Sequence, residues 1–195
     1  MKSLCYDVNR WGMLMEKGEL IHSRNISVNT YESNDDGLII EGTLTDERFS
    51  PFVIYSTNEM RDAGIIHSLL VRMKLSVPAL QIIDIEVEMP VVPLAGCEEI
   101  RGTFARLKGH EIKPGFSALV KELFRKTQGC LHLNNLILVI GSAAVQGMWT
   151  HFSKKREQRK SRLTKANSQM LFNSCWMWRD DGPLARHVRD RLKEI

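Results

Sequence analysis

The sequence predicts an α+β fold in which an antiparallel β-meander is followed by C-terminal helices packed on one face of the sheet. Residues 25–89 contain several short stretches in which apolar and polar side chains alternate, separated by residues that favour turns. From residue 97 onward the apolar side chains recur at helical spacing instead. Strands that precede helices, rather than alternating with them, are typical of α+β domains.

The first predicted hairpin turns at Asp35, Asp36 and Gly37. Residues 25–31 alternate and are rich in β-branched side chains, and residues 38–45 form a second apolar strand. An Asp-Gly pair between two such strands favours a tight hairpin turn. Residues 52–56 are a short apolar stretch that we expect to extend or continue the sheet.

A second hairpin is predicted from two longer strands. Residues 67–77 alternate strictly, Pro78 and Ala79 supply a turn, and residues 80–89 alternate again. Because a period of two places one face in the core and the other in water, Arg72 and Lys74 should lie across from acidic side chains on the exposed face. The side chains predicted to point into the core are Leu69, Val71, Met73, Leu75, Val77, Ile83, Ile85 and Val87.

Helices are predicted once Pro90 and Pro93 have ended the sheet. Residues 97–107 form the first helix, residues 114–126 carry one apolar stripe, and residues 130–149 form the most hydrophobic helix. A proline at the start of the second helix suits the first helical position. The longest apolar run, residues 136–145, is too short to cross a bilayer, so we expect a buried core helix and no membrane span.

The composition indicates one cytoplasmic domain. A chain of 195 residues with 43% hydrophobic side chains can bury a core without disulfides. The first residues lack the apolar segment of a secretory signal, and the four cysteines show no tight repeat, so we expect reduced thiols. The predicted divisions of this single domain, residues 1–195, are an irregular N-terminal segment (1–23), the antiparallel sheet (24–93), the helices (94–150), and a basic helix or connector with a C-terminal tail (151–195).

Residues 154–165, which begin with Lys154, hold most of the excess positive charge in a chain of net charge +4. This basic run has seven basic residues and one acidic residue. It has no interleaved aromatic side chains and no groove-reading motif, so we interpret it as a solvated helix end or connector. Nucleic-acid binding through the phosphates is the weaker alternative. Beyond it, the apolar residues 174–178 are expected to pack back onto the domain, followed by a short polar helix from Pro183.

Four residues form a candidate metal or sulfur site: His67, Cys97, Cys130 and His132. Two thiolates and two imidazoles can hold a tetrahedral zinc ion, and the same donors suit an iron–sulfur cluster. All four residues are predicted at the ends of strands or helices. Since Gly129 precedes a helix, Cys130 should lie near the helix N-terminus, where the dipole favours a thiolate. It can face the same ion as His132 only if it lies outside the helix proper.

Each of these residues also has an ordinary structural interpretation. Cys97 can be a small buried hydrophobic side chain, His132 a hydrogen-bonded core imidazole, and His67 a residue that fixes a turn. The chain would then be a non-catalytic binding or interaction module without a metal. A third alternative is an enzyme that acts on a small molecule in a cleft near Asp46 and His67, although an aspartate after a strand more often caps a turn. Whether Cys175 joins the site stays open.

Several short motifs resemble one bacterial family in the same order along the chain. They are Gly42-Thr43-Leu44-Thr45-Asp46, Ile66-His67, Leu107-Lys108-Gly109, Pro114-Gly115-Phe116 and Gly129-Cys130-Leu131-His132-Leu133. With Ser23-Arg24 before the first strand, this order resembles the domain of unknown function DUF2889 over residues 23–182. The resemblance implies the family and no activity.

A second resemblance is to the NifU/IscU-like scaffold proteins of iron–sulfur assembly. Those proteins place one ligand before a strand pair, a cysteine after the pair, and a histidine and cysteine at a later helix start. His67, Cys97, Cys130 and His132 take the corresponding positions. The scaffold's Cys-Gly-Asp motif is absent, because Ile66-His67-Ser68 stands in its place. The resemblance therefore implies a metal site more directly than it implies cluster assembly.

Overall fold

The structure is a computed structural model that describes residues 17–156 and 171–193. Four of the strands form one sheet in the order β1 (His22–Glu32), β2 (Leu38–Arg48), β5 (Gly64–Leu75) and β6 (Ile82–Val91), and every neighbouring pair is antiparallel. The remaining two strands of the described residues, β3 (Phe52–Ile54) and β4 (Glu59–Arg61), form a separate hairpin.

Helices follow the last strand, which confirms the predicted α+β class. A long 3₁₀ helix, Cys97–Leu107, comes directly after the sheet. The α-helices are α1 (Phe116–Leu123), α2 (Leu131–Arg156) and α3 (Pro183–Lys193), and short 3₁₀ turns lie at Lys126–Gln128 and Trp176–Trp178. Helix α2 contacts the inner faces of β1, β2 and β5, so it is the central helix over the sheet.

Both predicted hairpins are confirmed. In the first, the Ser33 N–H donates to the carbonyl oxygen of Gly37 at 3.0 Å, which closes the turn between β1 and β2. In the second, Val71 of β5 lies opposite Val87 of β6. On the exposed face Arg72 lies opposite Glu86, as predicted, and its Nη1 donates to Glu88 at 2.6 Å.

Two details of the predicted sheet are wrong. The alternation predicts Ile83 in the core, but its side chain is 48% exposed, whereas Ile82 is fully buried. The pairing shifts between Lys74 and Leu75, so a bulge at this position changes the side-chain alternation at the start of β6, whereas Ile85 and Val87 face the core as predicted. Residues 52–56 do not extend the main sheet either, because Phe52–Ile54 pairs with Glu59–Arg61 instead.

The core lies between the sheet and α2. Gly42 of β2 lets the helix approach closely, since a Cβ atom there would lie 2.6 Å from the Cδ1 atom of Ile140. Helix α2 is long and apolar enough to cross a membrane by length and composition alone. Its sheet-facing side is buried, however, which makes it the core helix that the sequence predicts. The residues of that side are Leu133, Leu136, Ile137, Ile140, Ala144 and Met148.

The C-terminal segment only partly packs onto the domain. Phe172, Asn173 and Ser174 line a cavity together with residues of α1 and α2. Trp176 and Met177, by contrast, are 75% and 45% exposed, so the predicted packing of residues 174–178 onto the domain does not extend to these two side chains. The predicted helix from Pro183 is confirmed as α3. Of the basic run, residues 157–165 lie outside the described residues.

Candidate metal centre

Three strands and one helix bring charged side chains together at one end of the sheet. Asp46 of β2 lies opposite Arg24 of β1 on one side and His67 of β5 on the other. Leu38, Ile40 and Leu44 of β2 are buried, and Asp46 continues the same alternation, so its carboxylate points into the space under α2. Helix α2 begins at Leu131, which places His132 in its first turn at this end.

Asp46 is the centre of the cluster and is only 1% exposed. Its Oδ1 accepts a hydrogen bond from Arg24 Nε at 2.6 Å, and its Oδ2 accepts one from Arg24 Nη2 at 2.7 Å. His22 Nε2 lies 3.5 Å from Oδ1. Burial acts to raise the pKa of Asp46, but the hydrogen bonds and charge of Arg24 outweigh it, with smaller effects from His67 and His132. The net pKa is below its usual value, so Asp46 is a carboxylate at neutral pH.

Two imidazoles lie beside this carboxylate. His67 Nδ1 is 3.0 Å and His132 Nε2 is 3.7 Å from Asp46 Oδ2, and the two ring centroids are 3.9 Å apart. Burial lowers the pKa of both histidines, and the Asp46 carboxylate opposes this only in part. Both rings are therefore neutral at pH 7, so each offers a nitrogen lone pair.

The three side chains can supply donors to one ion. One ligand atom each from Asp46, His67 and His132 lies within 4.8 Å of the other two. In a zinc site with bonds of about 2.0–2.2 Å, the donor atoms lie roughly 3.3–3.6 Å apart, so small movements suffice. His67 Nδ1 is buried and lies close to the carboxylate, yet its ring is not aligned to hydrogen-bond to it. A buried nitrogen of this kind normally has a partner.

Cys130 lies on the other side of the His132 ring. It directly precedes α2, and its carbonyl oxygen accepts the Asn134 N–H at 2.8 Å, so it lies at the helix N-terminus, near which the sequence predicts it. Its Sγ is 3.8 Å from His132 Nδ1, whereas Asp46 faces Nε2 of the same ring. Cys130 and Asp46 therefore contact opposite ring nitrogens. In this arrangement the thiol can orient the imidazole while Nε2 faces the ion.

The described residues contain two further cysteines besides Cys130, and neither belongs to the donor group of Asp46, His67 and His132. Cys97 begins the 3₁₀ helix after β6 and is half-buried, and Cys175 is exposed in the C-terminal segment. Of the four residues predicted from the sequence, His67 and His132 thus meet, Cys130 touches His132, and Cys97 is not in the group. The four-residue site as a whole stays a prediction.

From the sequence, Asp46 is expected beside His67 only in the third alternative, an enzyme cleft, and Arg24 is not placed in any site. The sequence nevertheless contains a signal for Asp46. Every second residue of β2 from its first residue to Asp46 faces the core, and Asp46 is the charged residue in this otherwise uncharged series. His67 interrupts the apolar phase of β5 in the same way, next to Leu69 and Val71. Charged or polar residues on the core phase of two neighbouring strands indicate a shared polar cluster. Their pairing with Arg24 depends on the register of β1, which the sequence does not specify.

A second polar cluster lies at the opposite end of α2. His151 is 3% exposed, and its Nδ1 is 3.2 Å from Glu32 Oε1, while Lys154 Nζ lies 3.0 Å from Glu32 Oε2. These side chains line a cavity of about 720 Å³ between β1 and α2. This cluster contains one imidazole and does not form a donor group of three among the described residues. The Asp46 cluster, which consists of His22, Arg24, Asp46, His67 and His132, is therefore the better candidate for metal chemistry.

Comparison with known families agrees with the resemblance in the sequence. A family model described as "Protein of unknown function (DUF2889)" matches residues 22–146, well over half of the chain. The chain belongs to the DUF2889 family. The DUF2889 match includes His22, Arg24, Asp46, His67 and His132, so the whole polar cluster lies within the family domain. No curated protein and no solved structure matches the chain. The resemblance to NifU/IscU-like scaffolds stays a hypothesis.

Proposed function

We propose that this DUF2889 protein binds a metal ion through Asp46, His67 and His132. The observation that carries the proposal is the convergence of one carboxylate and two neutral imidazoles within 4.8 Å, with the buried Nδ1 of His67 at 3.0 Å from Asp46 Oδ2. Two imidazoles and one carboxylate form a common ligand set for zinc and for non-haem iron(II). The cysteines and the cytoplasmic location expected from them are compatible with such an ion.

The donor set favours a single ion over an iron–sulfur cluster. Such clusters are normally held by several cysteine thiolates. Among the described residues, Cys130 is the one cysteine in contact with the Asp46 cluster, and it faces the Nδ1 atom of His132 rather than the carboxylate. A ligand role for Cys97 would require the start of the 3₁₀ helix to move towards the cluster. Zinc is therefore the probe of choice.

Arg24 has a positioning role in this proposal. It occupies one lone pair on each oxygen of Asp46, and each carboxylate oxygen has a second lone pair for an ion. Hydrogen bonds to a ligating carboxylate fix its orientation, and their loss typically weakens metal binding about 10- to 100-fold. Cys130 would act in the same way on His132.

The test is a zinc titration of the full chain. Protein purified without oxygen is first examined by elemental analysis and visible absorption, then stripped with a chelator and titrated with Zn²⁺ against a chromophoric competitor. We expect one ion per chain in the wild type and in His187→Gln, a matched exposed histidine in α3. His67→Gln and His132→Gln should bind more weakly by over about a hundredfold, and Arg24→Gln by about tenfold or more. Circular dichroism checks that each variant is folded.

Equal zinc affinity in the wild type, His67→Gln and His132→Gln would contradict the proposal. Absence of any bound ion would favour the non-catalytic binding module without a metal. A cluster spectrum after anaerobic purification would instead favour the iron–sulfur hypothesis.

A second candidate function, catalysis at the ion, is favoured by the number of protein donors. Three protein ligands leave a coordination position open, as catalytic zinc sites do, whereas structural sites have four. The His132 side chain is 25% exposed, so solvent reaches this part of the cluster. In the cobalt(II)-substituted protein, a water bound at the open position would lose a proton as the pH rises, and this change of ligand should shift the visible spectrum. A spectrum that is constant with pH would indicate a closed structural site.

A further inference from the structure

An arginine whose Nε lacks an acceptor among the described residues lies next to the Asp46 cluster. Arg48 is the last residue of β2, on the same face as Asp46 and opposite His22 of β1. Its Nε is buried and has no hydrogen-bond partner within that part of the chain. Its guanidinium contacts the Phe52 ring, whose centroid is 5.7 Å from Cζ. A buried guanidinium N–H without an acceptor costs free energy, so this position favours the binding of a ligand that supplies an acceptor.

The charges of the cluster show what kind of acceptor is missing. Asp46 is the carboxylate at its centre, and both of its oxygens are already bonded to Arg24. That pair is neutral, and Arg48 adds a further positive charge beside it. Arg48 is close to the cluster, because it lies two residues after Asp46 in β2 and opposite His22, whose Nε2 is 3.5 Å from Asp46 Oδ1. An anion would complete the local charge balance.

Helix α2 adds to the positive potential. It is 26 residues long and begins at Leu131, beside His132. The first N–H groups of a helix have no partner within the helix, and the dipole places partial positive charge there. A helix N-terminus together with an arginine that lacks an acceptor is a suitable environment for an oxyanion.

We infer that this end of the sheet binds a small oxyanion, a carboxylate or phosphate group of a ligand, with Arg48 donating hydrogen bonds to its oxygens. The planar guanidinium matches both groups in a two-point contact. The site is reachable, because the side chains of His22 and Arg24 are each 34% exposed. The inference rests on the proposed function in one respect: the anion would occupy the open position of the ion held by Asp46, His67 and His132.

Isothermal titration of the full chain with inorganic phosphate and with malonate tests this inference. Each anion is titrated into zinc-loaded and into chelator-treated protein, and choline chloride serves as a cationic comparison. We expect at least one anion to bind the wild type, and the tighter of the two identifies the preferred group. Arg48→Gln should weaken that binding about tenfold or more, since it removes a hydrogen bond between two charged groups. Arg191→Gln, which replaces an exposed arginine of α3, should bind as the wild type does.

The variants also separate this inference from the proposed function. Arg48→Lys keeps the charge but loses the two-point contact, so intermediate binding is expected, and it replaces Arg48→Gln if that variant does not fold. Arg48-dependent binding to chelator-treated protein that takes up no zinc would support the anion site and contradict the metal proposal. Anion binding that needs zinc and His132 but is unchanged in Arg48→Gln would overturn the inference while the metal proposal stands. Absence of binding to either form overturns it as well.

Discussion

The guanidinium of Arg24 meets both carboxylate oxygens of Asp46, at 2.6 and 2.7 Å, across the β1–β2 pair. Asp46 is 1% exposed, and Arg24 is the basic residue that compensates its buried charge. Arg24→Gln should therefore lower the free energy of unfolding by about 2 kcal/mol or more, because it leaves a buried carboxylate without its cationic partner. Chemical denaturation of the metal-free protein measures the change.

A double variant shows whether Arg24 and Asp46 stabilise the protein through their contact with each other or independently. Arg24→Gln combined with Asp46→Asn removes both charges, so part of the lost stability should return. If the double variant is as unstable as the sum of the two single variants, Arg24 and Asp46 do not interact in solution as they do in this structure.

The pH dependence of stability follows from the two histidines at the cluster. Burial holds the pKa of His67 and His132 below the ordinary value of 6.5, so the unfolded chain takes up protons more readily as the pH falls. The metal-free protein should have its full stability above about pH 6.5 and should lose stability as the pH decreases below it. Asp46, whose pKa is also lowered, adds a further loss only below its own usual value of 3.8.

Denaturation curves of chelator-treated protein between pH 7.5 and about pH 5 check this expectation. His67→Gln and His132→Gln should each flatten the curve, whereas the exposed His187→Gln should not. An unchanged slope in both cluster variants would mean that these histidines are not buried in solution.

The sheet and its helix could be predicted because their side chains follow simple periods. Val71 and Met73 lie in the core, as their alternation requires, and α2 buries the apolar run that the sequence contains. The bulge that exposes Ile83 could not be predicted, since it depends on how Lys74 and Leu75 pair with β6. A shift in strand pairing leaves the order of apolar and polar residues unchanged, so the alternation alone cannot indicate where it occurs.

The candidate site could be predicted in part for a similar reason. His67 and His132 are identified by residue type and by their positions at element ends, and the structure brings them together. Asp46 and Arg24 join them through the register of β1 and β2, which pairs the two residues directly. Arg24 and Asp46 are 22 positions apart, and many other pairings of charged residues are compatible with the sequence. Long-range pairs of this kind are fixed by the packed fold.

The face assignments of β5 and β6 can be tested at one buried position of β5, Val71, and one exposed position of β6, Ile83. Val71 is fully buried, so Val71→Asp should cost about 3 kcal/mol or more by placing a charge without a partner in the core. Ile83 is 48% exposed at the bulge, and Ile83→Asp should cost less than about 1 kcal/mol. Thermal unfolding of both variants measures the difference. Equal effects would show that the bulge is absent.

The basic run, residues 154–165, should contribute little to stability. Lys154 bonds to Glu32 at 3.0 Å, but both side chains are exposed, and exposed ion pairs contribute little to stability. Replacing Lys154, Lys155, Arg159 and Lys160 by Gln should leave the unfolding midpoint nearly unchanged. The same variant should show the weak, salt-sensitive nucleic-acid binding expected of charge alone. Tight wild-type binding at physiological salt that this variant loses would instead support a nucleic-acid partner.

The close approach of α2 to the sheet depends on Gly42. A Cβ atom at this position would lie 2.6 Å from Cδ1 and 2.7 Å from Cγ1 of Ile140, and 3.1 Å from Cδ1 of Leu136. Contacts this short force the helix or its side chains to move, so Gly42→Ala should destabilise the protein by about 1–3 kcal/mol.

Gly102→Ala is the matched control, because a Cβ atom at that position would have nothing within 4 Å among the described residues, and it should change stability by less than about 0.5 kcal/mol. Ile140→Val removes the nearest methyl group and should recover part of the loss when combined with Gly42→Ala. Because α2 also carries His132 over Asp46, the Gly42→Ala variant should bind zinc more weakly than Gly102→Ala; equal stability and equal zinc affinity in the two variants would show that α2 does not pack against β2 at this point.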